Sequence, residues 1–167
     1  PSYDMVAQGY SGLMSITGPE GGPPCRVGSS VGDIFSGHQA TIAILAALLH
    51  REKTGRGQHF DGAMIDGLFT VLENAVVRYT ISGEVPGPLG SAHPSIVPFQ
   101  SFPTQDDSHV IIALGNDNLW KNFCKLIGRQ DLSDHPRFAT NPLRTKHRKD
   151  LEQILIPEFR KKTRKEW

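Results

Sequence analysis

One acid stands alone between a glycine-rich approach and a long apolar run in GSSVGDIFSGHQATIAILAALLHREKTGRGQ, residues 28–58: Asp33. A carboxylate at the mouth of a helix is kept charged by the positive end of the helix dipole and by the first free amide donors, expected here at Ile34, Phe35 and Ser36. Two readings follow for such a residue. Either it caps the helix and does nothing more, or it is the carboxylate around which the chain is organised. The other reactive residue types are less suggestively placed. Cys25 and Cys124 lie too far apart in the chain to form a metal motif or a disulfide framework, and they read as ordinary thiols. His38, one helical turn beyond Ile34 and Phe35, either faces the same place as Asp33 or is a satisfied core histidine. His50, His59, His109, His135 and His147 read as surface or structural residues, and no metal is expected.

The elements that must hold Asp33 follow from composition and periodicity. With 167 residues, 38% hydrophobic and 21% charged, at a net charge of +1, the chain is long enough for one sizeable core or two small ones and reads as soluble and globular. No apolar stretch approaches about 18 uninterrupted residues, and the opening PSYDMVAQGY has no basic region followed by an apolar one, so a cytoplasmic protein with no membrane partner is expected. Nine of the 18 basic residues fall between Arg144 and Trp167, against four acids there. Without interleaved aromatics that stretch reads as a solvated helix face, and no nucleic-acid partner is expected.

From Ile34 to Lys53 the run is apolar on nearly every side, with alanines at 40, 43, 46 and 47, which predicts a core helix enclosed by neighbours. Gly55 ends it, after Arg51 and Lys53 in the last turn. A second helix is expected over 61–81, with Met64, Leu68, Leu72, Ala75, Val76 and Tyr79 on one face packed against the first. SGEVPGPLGSAHPS, residues 82–95, holds three glycines and three prolines in fourteen residues and predicts a loop or linker. SIVPFQSFPT and SHVIIALG then read as strands, the second buried on both faces. DNLWKNFCKLIG reads as a helix with Leu119, Trp120, Phe123, Cys124 and Ile127 inward. DHPRFATNPLRTKHRK predicts a polar irregular crossing, and a last helix from about Lys149 should kink or end at Pro157. Both ends, PSYD and KKTRKEW with its Trp167, read as cuts through a longer polypeptide.

Taken in order, PSYDMVAQGYSGLMSITGPEGGPP, VGDIFSGHQATIAILAALLHREKTGRGQHFDGAMIDGLF, SAHPSIVPFQSFPTQD and VIIALGNDNLWKNFCKLIG resemble the family III CoA-transferases, the CaiB/BaiF group. The likeness covers essentially the whole chain. It implies an α/β fold with a large Rossmann-like domain, a small α/β domain and an interlocked homodimer. Residues 1–85 would belong to the large domain with its core helices, 86–96 to a linker or active-site loop, and 97–167 to the small domain. The family is more than twice as long, and much of its CoA nucleotide cradle would lie outside this segment.

The resemblance also implies chemistry: coenzyme A is moved between an acyl-CoA and a carboxylic acid, with Asp33 as nucleophile, through an aspartyl anhydride and an aspartyl-CoA thioester. CoA enters as the thioester substrate. Tyr3 and Asp4 correspond to a tyrosine and an acid, glutamate in formyl-CoA transferase, that precede the family nucleophile and contact the substrate. Tyr3 reads otherwise as a half-buried packing aromatic. Gly90 and Ser91 match a glycine-rich loop over the aspartyl intermediate, or else a plain linker. HPSIVPFQSF is nearer the branch acting on dicarboxylic acids, with His93 and Ser95 near the acceptor. Two other classes stay open: an acyl-CoA racemase of the same superfamily, disfavoured because Tyr3 stands where a racemase has histidine, and a non-catalytic fragment or interaction module of this fold.

Overall fold

A computed structural model describes residues 2–167. Two units divide the chain, one ending at Gly90 and the other spanning Ser91–Trp167. The first unit is helical, with α1 (Asp4–Tyr10), a short 3-10 turn at Leu13–Ile16, α2 (Val31–Thr54), α3 (Met64–Val71) and α4 (Asn74–Ser82). α2 ends as its sequence dictates: Gly55 takes a left-handed φ of 72° and donates its N–H to the Arg51 carbonyl at 2.8 Å. Its start is three residues earlier than the apolar run implies. The second expected helix is two helices, because Glu73 sits at φ 40°, outside the helical region, and interrupts the hydrogen-bond ladder between α3 and α4.

The core of this unit is small: Ala7, Leu13 and Leu68, with Ile16, Val27, Val31, Met64, Val71 and Leu72 packed against them. The middle of α2 takes no part in it, contrary to the expectation of an enclosed core helix. Gly32 is its one buried residue, and Ile42, Leu45 and Leu49 are 67%, 56% and 60% exposed. Length explains this. Twenty-four helical residues extend about 36 Å, whereas α1 and α3, with 7 and 8 residues, are each about 10–12 Å long and cannot line it. By length and composition α2 is also long and apolar enough to cross a membrane, with a mean hydropathy of 1.3. Looking for an uninterrupted apolar run misses this, because Gly37, His38 and Gln39 break the run without lowering its average far.

In the second unit, β1 (Phe99–Pro103) and β2 (His109–Ala113) pair antiparallel, with Phe102 opposite Val110 and Gln100 opposite Ile112. β2 is not buried on both faces: Val110 and Ile112 pack inward while Ile111 is exposed, as befits a hairpin with one covered face. α5 (Asp117–Leu126), α6 (Gln130–Ser133), α7 (Asn141–Lys146) and α8 (Arg148–Phe159) complete the unit. Trp120, Phe123 and Cys124 of α5 are buried as expected, but Leu119 is exposed. Phe159 gathers the core, stacking on Phe102 at 4.6 Å and on Phe123 at 5.8 Å. Trp167 leans on it too and donates its indole N–H to the Phe159 carbonyl at 2.8 Å. α8 stops two residues after Pro157. Burial pushes the Cys124 thiol up to about 12.

The polar crossing contains one short helix, α7, and a centre of its own. Arg144, counted above with the solvated basic residues, is fully buried. Its Nε donates to the Val97 carbonyl at 2.6 Å, Nη1 to the Phe138 carbonyl at 3.0 Å and Nη2 to Asp117 at 2.9 Å, while the guanidinium lies 5.0 Å from the Trp120 ring centre. Other basic residues of this stretch are paired with acids, Arg148 with Glu152 half-buried and Arg160 with Asp107 at the surface.

Arg144→Ala would strand two buried carbonyls and remove the support under Trp120, so we expect a loss of about 3 kcal/mol or more in urea unfolding. Acid should weaken the same unit. Lys161, and next Arg129, hold the Glu158 carboxyl below its usual range, and Arg129 does the same for Asp131. A depressed carboxyl contributes stability that is complete above its unfolded pKa, about 4 to 4.5, and is lost as pH falls through the lower folded value. Thermal melts should therefore fall below about pH 4.5. Glu158→Gln should flatten that fall more than Asp131→Asn, because the Glu158 side chain is 13% exposed against 60% for Asp131.

Candidate active site

The segment that delivers Asp33 is held by a different helix. Ser30, the N-cap of α2, makes no side-chain bond to it. The capping carboxylate comes from α1: Asp4 Oδ1 accepts the Gly32 N–H at 2.8 Å, and Asp4 Oδ2 accepts Gln8 Nε2 at 2.8 Å. Asp4 and Gln8 stand one turn apart on α1, 8% and 0% exposed. Gln8 also reaches the approach to α2, where its Oε1 accepts the Val27 N–H at 2.8 Å and its Nε2 lies 3.4 Å from the Ser29 carbonyl. Close approach favours glycine at position 32. A Cβ there would lie 3.0 Å from Asp4 Oδ1, 3.1 Å from Met64 Sδ and 3.3 Å from Leu68 Cδ1.

Asp33 is the next residue. It is exposed, and among the described residues its carboxylate makes no hydrogen bond or ion pair, so it does not cap its helix. The donors expected at Ile34, Phe35 and Ser36 are not free. α2 begins at Val31, and the Ile34 N–H is already bonded to the Ser30 carbonyl at 3.1 Å. The open donor beside the carboxylate is Asp33's own N–H, which finds no acceptor among the described residues. A cavity of about 390 Å³ lined by Ser2, Ser36, Gly62, Ala63, Met64 and Ile65 opens at the next turn of α2. The arrangement offers an exposed, reachable carboxylate at the positive end of a 24-residue helix.

Tyr3 is the N-cap of α1, its ring 86% exposed and therefore not a packing aromatic, while its carbonyl accepts the Val6 and Ala7 N–H groups. Asp4 has a buried holding task. Gly90, at φ 62°, donates its N–H to the Gly18 carbonyl at 2.9 Å. Ser91 and His93 belong to the second unit, fastened to β1. The Ser91 hydroxyl bonds that of Ser101 at 2.7 Å, and the His93 ring stacks on Phe99 while its Nδ1 accepts the Ser95 and Ile96 N–H groups. Ser95 is exposed, and its carbonyl accepts from Asn141. His38 is exposed and edge-on to Phe35, not a core histidine. Sequence reasoning missed Gln8, although Asp and Gln at i and i+4 in DMVAQ are spaced to bond across one helical turn. Among the described residues no three His, Cys, Asp or Glu side chains gather as a metal site.

Against known proteins, the family model for CoA-transferase family III matches residues 1–167. The chain is 43% identical over 156 residues to succinate–glutarate CoA-transferase of Agrobacterium fabrum, covering 93% of this chain and 39% of that protein. It is 36% identical over 165 residues to human succinyl-CoA:glutarate CoA-transferase, covering 99% and 37%. Among solved structures, a CaiB/BaiF family protein from Brucella suis superposes with a TM-score of 0.79 at 38% identity, over 99% of this chain and 43% of that one. The chain thus spans about two fifths of the length of the curated relatives it matches.

The tight crossing at Gly32 is open to test. Gly32→Val should crowd Asp4, Met64 and Leu68 and lower stability by about 1–3 kcal/mol in chemical denaturation. Gly32→Ala should cost less, because better helix propensity, about 1 kcal/mol, offsets part of the crowding.

Proposed function

Because this chain belongs to CoA-transferase family III, we propose that the protein transfers coenzyme A from an acyl-CoA to a carboxylic acid, with Asp33 as the nucleophile. The Asp33 carboxylate attacks the thioester carbonyl, the C–S bond breaks, and CoA leaves as a thiolate with an aspartyl anhydride left behind. The thiolate attacks the Asp33 carbonyl, releasing the donor acid and giving an aspartyl-CoA thioester. The acceptor carboxylate displaces CoA from it in the same way, and the thiolate then attacks the acceptor's acyl carbon and frees Asp33. Each tetrahedral oxyanion needs a donor, and the open Asp33 N–H at the helix start suits that need.

The observation that carries this reading is the division of duties between two acids: Asp4 caps α2, so the exposed Asp33 carboxylate is left with no structural bond. Dicarboxylic acids of the succinate and glutarate size are the favoured donors and acceptors, supported by the activities for which the Agrobacterium and human relatives are named. Tyr3, which is exposed, is a proposed substrate contact. Gly90 supplies a bend at the end of the first unit. A homodimer fits the uncovered Ile42, Leu45 and Leu49 of α2.

Asp33→Asn in the full-length protein should abolish transfer while costing no more than about 1 kcal/mol of stability, the share of a charge at a helix N-terminus. Mass spectrometry after incubation with succinyl-CoA and trapping with hydroxylamine or borohydride should mark Asp33. Turnover of Asp33→Asn at the parental rate, or an adduct on another residue, would return Asp33 to an ordinary surface position.

A further inference from the structure

We propose that Gln8 is the positioning residue for Asp33, a role that rests on the reading of Asp33 as nucleophile. Three anchor points hold the chain just before it: Val27, Ser29 and Gly32, which lie six, four and one residues ahead of Asp33. Gln8 makes the first two contacts itself. The third is made by Asp4, whose other oxygen Gln8 holds in place at 2.8 Å. A fully buried side chain that no solvent can satisfy thus serves both the approach to α2 and its cap.

The chemistry of the site demands an amide. The Val27 N–H needs an acceptor and the Asp4 carboxylate needs a donor, and a primary amide of this length gives one of each from a single side chain. Glutamate offers only acceptors and would set two carboxylates against each other. Methionine fills the space and offers neither. The side chain of Ser30, between the anchored residues, makes no capping bond, so little else in this segment replaces what Gln8 supplies. A nucleophile misplaced by about 1 Å loses on the order of 100-fold in rate even when binding is intact, which makes these distant bonds matter for the covalent step.

The test uses the full-length protein and single-turnover trapping of the Asp33 adduct with succinyl-CoA. Gln8→Met should slow acylation of Asp33 by about 10- to 100-fold with an unchanged KM for succinyl-CoA. Amide exchange in the peptide spanning residues 26–33 should quicken, while that of α5 and α8 stays as it was. Gln8→Glu should be slowed as well. The double variant Asp4→Asn/Gln8→Glu then provides the rescue: the new amide at position 4 accepts from Gly32 and donates to the new carboxylate at position 8, which accepts from Val27. That variant restores the Val27 and Gly32 anchors but not the donor to Ser29, so it should recover part of the lost acylation rate, and it keeps the question answerable if Gln8→Met fails to fold. A Gln8→Met protein that acylates Asp33 at the parental rate overturns the proposal, as does a double variant no faster than Gln8→Glu, or a decline in kcat and KM together that follows the folded fraction. An adduct elsewhere in the parental protein overturns the assignment of Asp33 and this proposal with it.

Discussion

The hydrogen bond from the Gly32 amide to Asp4 organises the first unit. A helix start leaves orphan donors, and a side chain from its own sequence usually answers one of them. Here the answer comes from α1, across 28 residues of chain. That borrowed cap fixes how α1 meets α2, favours a small residue at the crossing, and frees the one acid in the first turn of α2 from structural duty. The cap and the reactive group of a helix start are often the same residue in principle. In this chain they are separate residues, so Asp33 can change without undoing the cap, whereas the cap still sets where Asp33 stands.

The second unit solves a comparable problem with the opposite charge. Arg144 gathers the Val97 and Phe138 carbonyls, Asp117 and the face of Trp120 around one guanidinium. Arginine suits this because its rigid fork presents several donors at once and stays charged when buried. Both units therefore rest on one buried ionic side chain that serves backbone groups, surrounded by a modest apolar core.

Features governed by neighbours in sequence were legible from it: the stop of α2 at Gly55, the two strands, and the inward side of α5 at Trp120, Phe123 and Cys124. What escaped depends on partners distant in the chain. Arg144 looked like one more solvated cation because its carbonyl at Val97 lies 47 residues away. Gln8 looked unremarkable because the amide it serves is 19 residues on. The apolar surround of α2 was correctly read as a demand for burial. Within these residues α1 and α3 are too short to meet it.

Those uncovered side chains on α2 have a thermodynamic meaning of their own. A unit that leaves Ile42, Leu45 and Leu49 in water within its own 90 residues holds back part of its hydrophobic free energy until some surface covers them. Its stability then obeys mass action. Each tenfold rise in the concentration of a saturating cover adds about 1.4 kcal/mol to the folded state, whatever that cover is. Where such a cover binds reversibly, dilution destabilises this helix, and the folded fraction of the chain then depends on the company it keeps as well as on its sequence.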